Sequence, residues 1–419
     1  MLTPAQLRDD VARAFGIGGP RGPRRIGVEV EAIPMDVATD LPARIPRTLA
    51  ALRVLNWRTE TSSKSGAAEL FHPAGGHVSF EPGGQVEFST PPRPTGSAAL
   101  ADVDAALAAM RTALDAHGIQ LRSAGLDPVT PIADVPLQLD GERYQRMDAH
   151  FASVGPWGRR MMRQTAALQL SIDAGPDPLQ RWRLLCALVP VTTAIFANSP
   201  ADSGTFTGER SIRRRIWDSL DPSRTGLPAL GPDPVGEYLA FALNARAFLR
   251  GNHPHRAESF AAWIPRGATL DDWHAHLSTL FPDVRPRGFF ELRAADAAAG
   301  DALPALIALI CGLAWHEPSG SEALRRLPHP DAELMAQAGR LGLGHPTLAA
   351  AARTAVDLAL QGCSALGPSA LDAEDLARAV RFFDRYTRQA RSPADDWQAS
   401  DLRVAVGAGR EAAARIPVA

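Results

Sequence analysis

The sequence predicts an α+β protein, and three observations support this class. Short segments that alternate apolar and polar residues, as half-buried strands do, occur in the first 300 or so of its 419 residues. Longer stretches between them have apolar residues at helical spacing. Beyond about residue 300 the chain is almost wholly helical. A sheet with helices gathered to one part of the chain is typical of α+β folds.

The strand predictions rest on period-2 alternation, and the helix predictions on spacing and stop signals such as Gly118. The predicted strands are 26–33 (IGVEVEAI), 78–82 (VSFEP), 85–90 (QVEFST), 168–173 (LQLSID) and 289–296 (FFELRAAD). The predicted helices are 97–118, 301–315, 331–341, 346–361 and 371–389. No internal repeat or long linker separates them, so we predict a catalytic core over 1–316 and a helical section over 317–419 packed on the same domain.

Composition excludes several classes of function. The chain has 44 Lys plus Arg and 46 Asp plus Glu, a net charge of -2, which supplies no overall field for nucleic acid or an anionic membrane. Its three cysteines form no short-spaced pair for zinc or a disulfide framework. The apolar runs 184–197 and 305–315 are shorter than the roughly 20 residues of a membrane span. We therefore expect a cytoplasmic protein with buried core helices.

Carboxylates recur on the predicted strands. Glu29 and Glu31 are two apart, so on a strand both leave the same face. Taken alone, this pair is more typical of a half-solvated strand. The next segment changes that interpretation, because Glu81 precedes a Pro-Gly-Gly turn and is followed by Gln85 and Glu87 on one strand face. The two glycines permit a sharp bend or the close backbone approach that a phosphate requires.

Two further strands have the same character. Gln169 lies on the polar face of 168–173, and Glu291 shares a face with Arg293 on 289–296. We predict that the four polar-faced strands form one sheet whose polar side lines a cavity. Carboxylate and amide oxygens suit hard divalent cations, particularly magnesium, which commonly bridges to substrate phosphates. ATP chemistry is the natural use of such a cavity.

Several ordered segments resemble the plant-type and actinobacterial glutamate-cysteine ligases, most closely the form found in ergothioneine pathways. The resemblance spans roughly residues 24–316. It runs through GVEVE (27–31), SFEPGGQVEFSTPP (79–92), RY (143–144), GPWGRRMMRQTAALQLSID (155–173), FANSP (196–200), GERSIRRRIWDSLDPSRTG (208–226), LFPDVRPRGFFELRAAD (280–296) and GLAW (312–315). Each motif is of moderate specificity, and together in this order they are highly specific.

The resemblance implies a fold like the catalytic domain of glutamine synthetase, with a curved antiparallel sheet facing the active site. It also implies a reaction. ATP phosphorylates the γ-carboxylate of L-glutamate, and the amine of L-cysteine displaces phosphate from the acyl phosphate to give γ-glutamylcysteine. The implied ligands are therefore Mg²⁺, ATP, glutamate and cysteine.

The resemblance also implies roles for individual residues. The magnesium ligands it implies are Glu29, Glu31, Glu81, Glu87, Gln169 and Glu291. Arg293, beside Glu291, is implied to stabilise the transferring phosphoryl group, and both are catalytic candidates. The implied substrate-binding residues are Met162, Thr165, Arg213 and Trp217, with Arg143 and Arg224 as weaker candidates. For these last two, an ordinary surface ion pair is an equal alternative.

Other interpretations remain open at this point. In one alternative the enzyme joins glutamate to another amino acid or amine instead of cysteine. In a second the chain binds glutamate or a nucleotide without catalysing a reaction, and in a third it is a structural metal-binding protein. No motif defines the cysteine pocket, and no cysteine pair suggests the redox switch of the plant enzymes. A monomer or weak homodimer is expected. The pairs His253 with His255 and His274 with His276 lack a third ligand nearby and are predicted to be structural or solvated.

Overall fold

A computed structural model describes residues 2–19, 22–62, 65–249 and 258–402. The α-helices of those residues are α1 (Pro4–Ala14), α2 (Ile45–Leu52), α3 (Gly96–Asp115), α4 (Glu142–Val154), α5 (Trp157–Gln164), α6 (Pro178–Ile195), α7 (Ile212–Leu220), α8 (Pro222–Thr225), α9 (Pro234–Asn244), α10 (Phe260–Trp263), α11 (Leu270–Leu277), α12 (Ala302–Ala314), α13 (Glu317–Arg326), α14 (Ala332–Arg340), α15 (Pro346–Leu366) and α16 (Ala373–Arg385). The strands are β1 (Ile26–Asp36), β2 (Leu41–Pro42), β3 (Arg58–Thr61), β4 (Ala68–Phe71), β5 (His77–Phe80), β6 (Val86–Ser89), β7 (Ile119–Arg122), β8 (Ala167–Asp173), β9 (Ala201–Asp202), β10 (Thr205–Phe206), β11 (Val284–Pro286) and β12 (Phe289–Asp296).

Among the described residues, a ten-stranded antiparallel sheet has the order β11-β12-β8-β1-β6-β5-β4-β3, and β2 and β7 also pair with β1. The α+β class and the antiparallel sheet are thus confirmed. All five predicted strands belong to this sheet. β12, β8, β1 and β6 are consecutive neighbours, as the polar-face argument required. The other five strands of the sheet, β2, β3, β4, β7 and β11, were not predicted from alternation.

The register places the polar side chains opposite one another. Glu29 pairs with Gln169 across β1 and β8, and Glu31 pairs with Glu87 across β1 and β6. Residues directly opposite in an antiparallel pair have Cβ atoms about 4.5–5.5 Å apart and point to the same face. The polar positions therefore form one continuous surface across the middle of the sheet.

A β-bulge interrupts β12 beside this surface. Leu292 pairs with Leu170 and Ala295 with Leu168, so two residues of β12, Arg293 and Ala294, stand opposite the single residue Gln169. One extra residue reverses the side-chain alternation beyond the bulge. As a result Asp296, opposite Ala167, lies on the polar face together with Arg293.

The other face of the sheet and the helices share one hydrophobic core. Val28, Val30 and Phe88 from the sheet belong to the same buried cluster as α6, α12 and α15. Every residue of α12 is buried, as expected for a core helix. Among the described residues, no single helix is long and apolar enough to span a membrane. Only α12 and α13 together meet that criterion, across a bend of 96°.

The helices after residue 316 pack closely on the core. Gly312 of α12 and Gly362 of α15 bring the two helices into backbone contact, and a Cβ on either glycine would clash with the other helix. The helix predictions in this section are confirmed for α14, α15 and α16, whereas α13 was not predicted. The boundary at 316/317 stays a prediction, and residues 403–419 of the predicted section lie outside the described residues.

Candidate active site

A cavity of about 870 Å³ lies on the polar face of the sheet. Most of the predicted site residues line it. These are Glu29, Glu31, Glu81, Glu87, Arg143, Met162, Thr165, Gln169, Arg213, Trp217 and Arg293. Two predicted residues, Glu291 and Arg224, are not part of its lining. The four lining glutamates form what we call the acidic wall, and Arg213, Arg285, Arg287 and Arg293 form the arginine wall.

The acidic wall is built on β1, β6 and the turn before β6. Glu31 accepts hydrogen bonds from Gln169 Nε2 at 2.6 Å and from the amide of Ala167 at 2.8 Å. Glu87 accepts one from Ser79 Oγ at 3.0 Å. No arginine or lysine forms an ion pair with these glutamates in the described chain, so Arg213 and Arg293 offset their repulsion only from a longer distance.

Burial and mutual repulsion make these carboxyl groups hard to ionise. Burial, followed by Glu87 and then Glu291, raises the pKa of Glu29 to about 7. Burial and the neighbouring Glu31 raise the pKa of Glu87 to about 7. The pKa values of Glu31 and Glu81 are also raised, chiefly by burial. Such a set favours any ligand that brings positive charge.

The donor atoms of the acidic wall fit a divalent cation chemically. They are carboxylate oxygens, and Gln169 Oε1 is a buried acceptor that has no hydrogen-bond partner within the described chain. Their arrangement is less complete, because no three His, Cys, Asp or Glu side chains of the described residues are grouped closely enough to hold a metal ion. The wall thus supplies magnesium ligands by type, while the assignment of six individual ligands stays a prediction.

Three of the four arginines of the arginine wall surround Glu291. Arg285 Nε donates to Glu291 Oε2 at 2.6 Å, and Arg287 Nη1 donates to Oε1 at 2.8 Å. Arg293 Nη1 lies 3.7 Å from Oε2. Burial would raise the pKa of Glu291, but the guanidinium groups, Arg285 first among them, hold it below its ordinary value. A metal ion at Glu291 would have to compete with two guanidinium groups for these oxygens.

Arg213 enters the cavity from α7, and the β-bulge fixes its position. Its Nη2 donates to the carbonyl of Arg293 at 2.8 Å, and its Nη1 lies 3.7 Å from Asp296 Oδ1. Asp296 is itself buried and accepts from Ser211 Oγ, the N-cap of α7, at 3.0 Å. Both Arg213 and Arg293 lie over the ring of Trp217, with Cζ at 5.1 Å and 5.9 Å from its centroid. Trp217 thus makes cation–π contacts with two guanidinium groups of the cavity.

The cavity end near Met162 is shaped by a turn between α5 and β8. Thr165 Oγ1 donates to the carbonyl of Met161 at 2.7 Å, and Gln85 Nε2 donates to the carbonyl of Thr165 at 2.8 Å. Gly83 approaches the backbone of Arg163 so closely that a Cβ would clash. Gly83 therefore makes room for another segment of the chain rather than for a ligand. This contact packs the Pro-Gly-Gly turn against the turn that contains Thr165.

The two weaker arginine candidates have different surroundings. Arg143 lines the cavity, and its Nη2 donates to the carbonyl of Ser278 at 2.8 Å. Arg224 is fully buried away from the cavity, where Nε donates to Asp221 at 2.9 Å and Nη1 to the carbonyl of Thr279 at 2.8 Å. The interpretation of Arg224 as a surface ion pair is therefore wrong, because its ion pair with Asp221 is buried and connects two segments of the chain. The lining of the cavity does not include Arg224, and its role as a substrate ligand stays a prediction.

Three arginines that line the cavity each have a buried Nε–H group that makes no hydrogen bond within the described chain. Within the chain as described, Nε of Arg143, Arg213 and Arg293 is buried and has no hydrogen-bond partner. A buried donor without a partner costs free energy, on the order of 1–3 kcal/mol, unless a ligand accepts from it. These atoms indicate where anionic groups of a ligand would be bound.

Some site residues were missed from the sequence. Arg285 and Arg287 stand two apart on and just after β11, a spacing that places both on one strand face, yet no role was assigned to them. Tyr144 also lines the cavity, and burial followed by the charge of Glu81 raises its pKa to about 12. Asp296 had no signal, because its position depends on the bulge.

The histidine pairs have no shared role at this site. His276 is buried, and its Nε2 lies 2.8 Å from the carbonyl of Ala242, as a structural side chain would. His274 lies at the cavity rim, with Nε2 3.2 Å from Asp10. His253 and His255 lie outside the described residues.

Comparison with known proteins identifies the family. Residues 25–410 match glutamate-cysteine ligase family 2 (GCS2). The chain is 34% identical over 409 residues to glutamate-cysteine ligase EgtA of Mycolicibacterium smegmatis, covering 93% of this chain and 89% of that protein. It is 31% identical to chloroplastic glutamate-cysteine ligase B of Oryza sativa subsp. japonica, covering 76% of this chain and 68% of that one.

A solved structure shares the fold. Glutamate-cysteine ligase from Francisella tularensis, determined in complex with AMP, superposes with a TM-score of 0.53 over 89% of this chain and 83% of that one, at 11% identity. At that identity the likeness concerns the fold alone. Because the family match extends over more than half of the chain and the relatives exceed 30% identity, the chain belongs to glutamate-cysteine ligase family 2, a family of carboxylate-amine ligases.

Proposed function

We propose that this enzyme joins the γ-carboxylate of L-glutamate to the amine of L-cysteine, converting ATP to ADP and phosphate and forming γ-glutamylcysteine. One observation carries the proposal: the acidic wall and the arginine wall lie side by side on one sheet face and line a single cavity. A nucleoside triphosphate bound with a divalent cation needs carboxylates to hold the cation and guanidinium groups to hold the phosphates. The names of the relatives support glutamate and cysteine as substrates.

The acidic wall would hold magnesium through oxygens of Glu29, Glu31, Glu81 and Glu87, with Gln169 Oε1 as a further donor. When bound, the ion neutralises phosphate charge. The residues themselves keep the cavity selective, because carboxylates repel an anion that arrives without a cation. Glu31 is held in place by Gln169 and the amide of Ala167, which fixes this wall before any ligand binds.

The arginine wall would bind the transferring phosphoryl group. In the first step, the bond between the terminal phosphorus and the β-phosphate oxygen breaks, and a γ-carboxylate oxygen of glutamate bonds to phosphorus. Negative charge spreads over the phosphoryl oxygens, and Arg293 has an unpartnered buried Nε–H in the described chain to offer them. Glu291 holds Arg285 and Arg287 beside it, so the donors are in position before the charge develops.

Glutamate would be bound at the end of the cavity near Met162 and Trp217. Arg213 lies there with a free Nε–H, and a guanidinium group can bind a carboxylate through two parallel hydrogen bonds. Thr165 and the apolar side chains exclude water from the acyl phosphate. In the second step the cysteine ammonium group first loses one proton, and the resulting amine attacks the acyl carbon. A C–N bond forms, the C–O bond to phosphate breaks, and the second proton leaves the nitrogen and is carried away on the phosphate.

The test is turnover by purified protein with Mg²⁺, ATP and glutamate, with L-cysteine or with a panel of other amines, followed by ADP release and product mass. We expect γ-glutamylcysteine and one ADP for each peptide bond, with cysteine as the preferred acceptor. Turnover with another amine alone would assign a different acceptor within the same ligase class. Binding of ATP or glutamate without any turnover would contradict the proposal and favour a silent binder.

A further inference from the structure

Three arginines line the cavity with a buried Nε–H group that makes no hydrogen bond within the described chain, and the proposed reaction uses two of them. Arg293 faces the phosphoryl group, and Arg213 faces a carboxylate of glutamate. Arg143 has no ligand assigned to it. A buried donor is costly unless a ligand accepts a hydrogen bond from it, so Arg143 indicates a third anion-binding position in the cavity.

Arg143 is held in place by contacts that leave its Nε–H group free. It lies in the first turn of α4, and its Nη2 donates to the carbonyl of Ser278, just after α11, at 2.8 Å. Its Cζ lies 5.4 Å from the ring centroid of Tyr144. Arg143 makes no ion pair with any residue that the structure describes, so no carboxylate of those residues neutralises it directly. The guanidinium group is therefore in position to bind a carboxylate.

Tyr144 supplies a second donor beside Arg143. It also lines the cavity, and burial, followed by the charge of Glu81, raises its pKa to about 12. The phenol therefore keeps its proton at neutral pH. A protonated phenol donates a hydrogen bond, and the two oxygens of a carboxylate can accept from both Tyr144 and Arg143. The pair is thus suited to a carboxylate.

Charge effects place Arg143 and Arg213 beside different parts of the acidic wall. Burial raises the pKa of Glu81, and Arg293 and Arg143 are among the charges that lower it. Burial also raises the pKa of Glu31, where the strongest opposing charge is Arg213, followed by Arg293. Arg293 acts on both glutamates, as expected if it lies between the other two arginines. In a γ-glutamyl amino acid the new amide bond likewise lies between two α-carboxylates.

The other neighbours of Arg143 in the cavity are mostly apolar. Met147 lies one turn further along α4 and so on the same helix face. Leu277 and Phe281 lie on either side in sequence of Ser278, which Arg143 contacts, and all three apolar side chains line the cavity. A charged side chain would lose its hydration among them, whereas a small uncharged one would not.

We propose that Arg143 and Tyr144 bind the α-carboxylate of the acceptor, so that the enzyme ligates α-amino acids with a small uncharged side chain and discriminates against amines without a carboxylate. This assignment rests on the proposed function, because it presupposes an acceptor amine. It separates amino acids from simple amines among the acceptors that the ligase reaction allows.

The first experiment compares amino acids with the amines that remain when their carboxylate is removed. The pairs are L-cysteine with cysteamine and L-alanine with ethylamine, each with Mg²⁺, ATP and glutamate, followed by ADP release and product mass. In each pair that is ligated, kcat/KM should be higher for the amino acid by about tenfold or more. A smaller preference would overturn the carboxylate site and leave the ligase reaction standing. If no acceptor is ligated, the proposed function fails, and the assignment of Arg143 fails with it.

The second experiment replaces Arg143→Gln. The preference for L-cysteine over cysteamine should fall by about tenfold, because only L-cysteine loses a contact, while KM for glutamate should change by less than about twofold. The matched control is Arg146→Gln. Arg146 lies on the same helix and donates from Nη1 to the carbonyl of Leu249 at 2.9 Å, but it does not line the cavity. A merely structural role would lower turnover of both acceptors equally, so an unchanged preference in Arg143→Gln, or an equal loss of preference in Arg146→Gln, would overturn the site.

Two milder variants give the same test if Arg143→Gln does not fold. Arg143→Lys keeps the charge and should retain more of the preference for L-cysteine than Arg143→Gln does. Tyr144→Phe keeps the ring and should lower the preference by about threefold, since it removes one neutral donor. A preference that is unchanged in Tyr144→Phe would remove Tyr144 from the site.

Discussion

The acidic wall and the arginine wall lie on the same sheet with β8 between them, yet their charges are balanced in opposite ways. Glu87 stands directly opposite Glu31 with only hydroxyl and amide donors around it, and its pKa rises to about 7. Glu291 stands among three guanidinium groups, and its pKa falls below its ordinary value. A glutamate of the acidic wall therefore still needs a cation to balance its charge. Glu291, by contrast, is already the counter-ion of the arginines around it.

This difference teaches how one sheet face can accept a nucleotide with its metal ion. With pKa values of about 7, Glu29 and Glu87 of the acidic wall are partly protonated near neutral pH when no cation is bound. In the arginine wall, Glu291 holds Arg285 and Arg287 in place by hydrogen bonds.

The two walls also act on each other through charge. Beside the larger effect of burial, Glu291 raises the pKa of Glu29 and Arg213 lowers that of Glu31. The following predictions test how far the two walls act separately.

The largest expected effect is on catalysis at the arginine wall. Arg293→Gln should lower kcat by about 10³-fold or more, because it removes the buried, unpartnered donor that we propose faces the developing phosphoryl charge. Arg287→Gln is the matched control, since Arg287 contacts the same Glu291 but is half exposed. It should cost less than about tenfold. Equal losses in the two variants, measured by ADP release, would contradict the assigned role of Arg293.

Glu291→Gln should lower both activity and stability. The substitution keeps the shape of the side chain but leaves Arg285 buried without its counter-ion. Removing one partner of a buried ion pair costs about 3–5 kcal/mol, and urea unfolding monitored by circular dichroism measures the loss. A variant of unchanged stability would show that Glu291 is not needed to hold the arginine wall.

The stability of the metal-free protein should fall as pH rises from 5 to 8. The folded-state pKa of Glu29 and Glu87 is about 7, above the ordinary value of 4.5. The folded protein therefore holds protons that the unfolded chain has released. This contribution is complete below pH 4.5 and is lost as pH rises through 7, by up to ~3 kcal/mol for one such group. Urea unfolding in EDTA at each pH measures the slope, and a rise with pH would contradict the acidic wall as described.

The smallest effect, and the sharpest contrast, is expected for Glu87→Gln. Without divalent ions this variant should be more stable than the unaltered protein by about 1 kcal/mol, because it removes a like charge opposite Glu31. It should also flatten the pH dependence. Ligation should nevertheless fall, and magnesium should raise the melting temperature less than it does in the unaltered protein. A variant that is less stable than the unaltered protein would show that the charge of Glu87 stabilises the fold, as that of Glu291 is expected to do.

Much of the cavity could be predicted from the sequence because strand alternation has a strict period. Glu29 with Glu31, and Glu291 with Arg293, were placed on one face by spacing alone, and the register confirms that β12, β8, β1 and β6 are neighbours. Spacing does not report burial, however. Arg224 lies in a polar local sequence, DPSRTG, and only the folded chain shows that its side chain is fully buried.

Other features depend on contacts between distant segments. Gly83 was expected to make room for a phosphate, whereas it makes room for the backbone of Arg163, 80 residues further along. Asp296 lies on the face opposite to the one that simple alternation from Glu291 gives. The cause is a bulge, which leaves no mark in a strand of this composition, FFELRAAD.

That bulge sets a limit on how β12 can change its length. Between Glu291 and Asp296 the strand contains one residue more than its partner β8 has over the same interval. Deleting Ala294 would straighten the ladder and leave Arg293 opposite Gln169 and Asp296 opposite Ala167, so both side chains would keep the polar face. The strand can therefore lose this one residue without turning Arg293 or Asp296 away from the cavity, whereas a second deletion between them would turn Asp296 toward the apolar core.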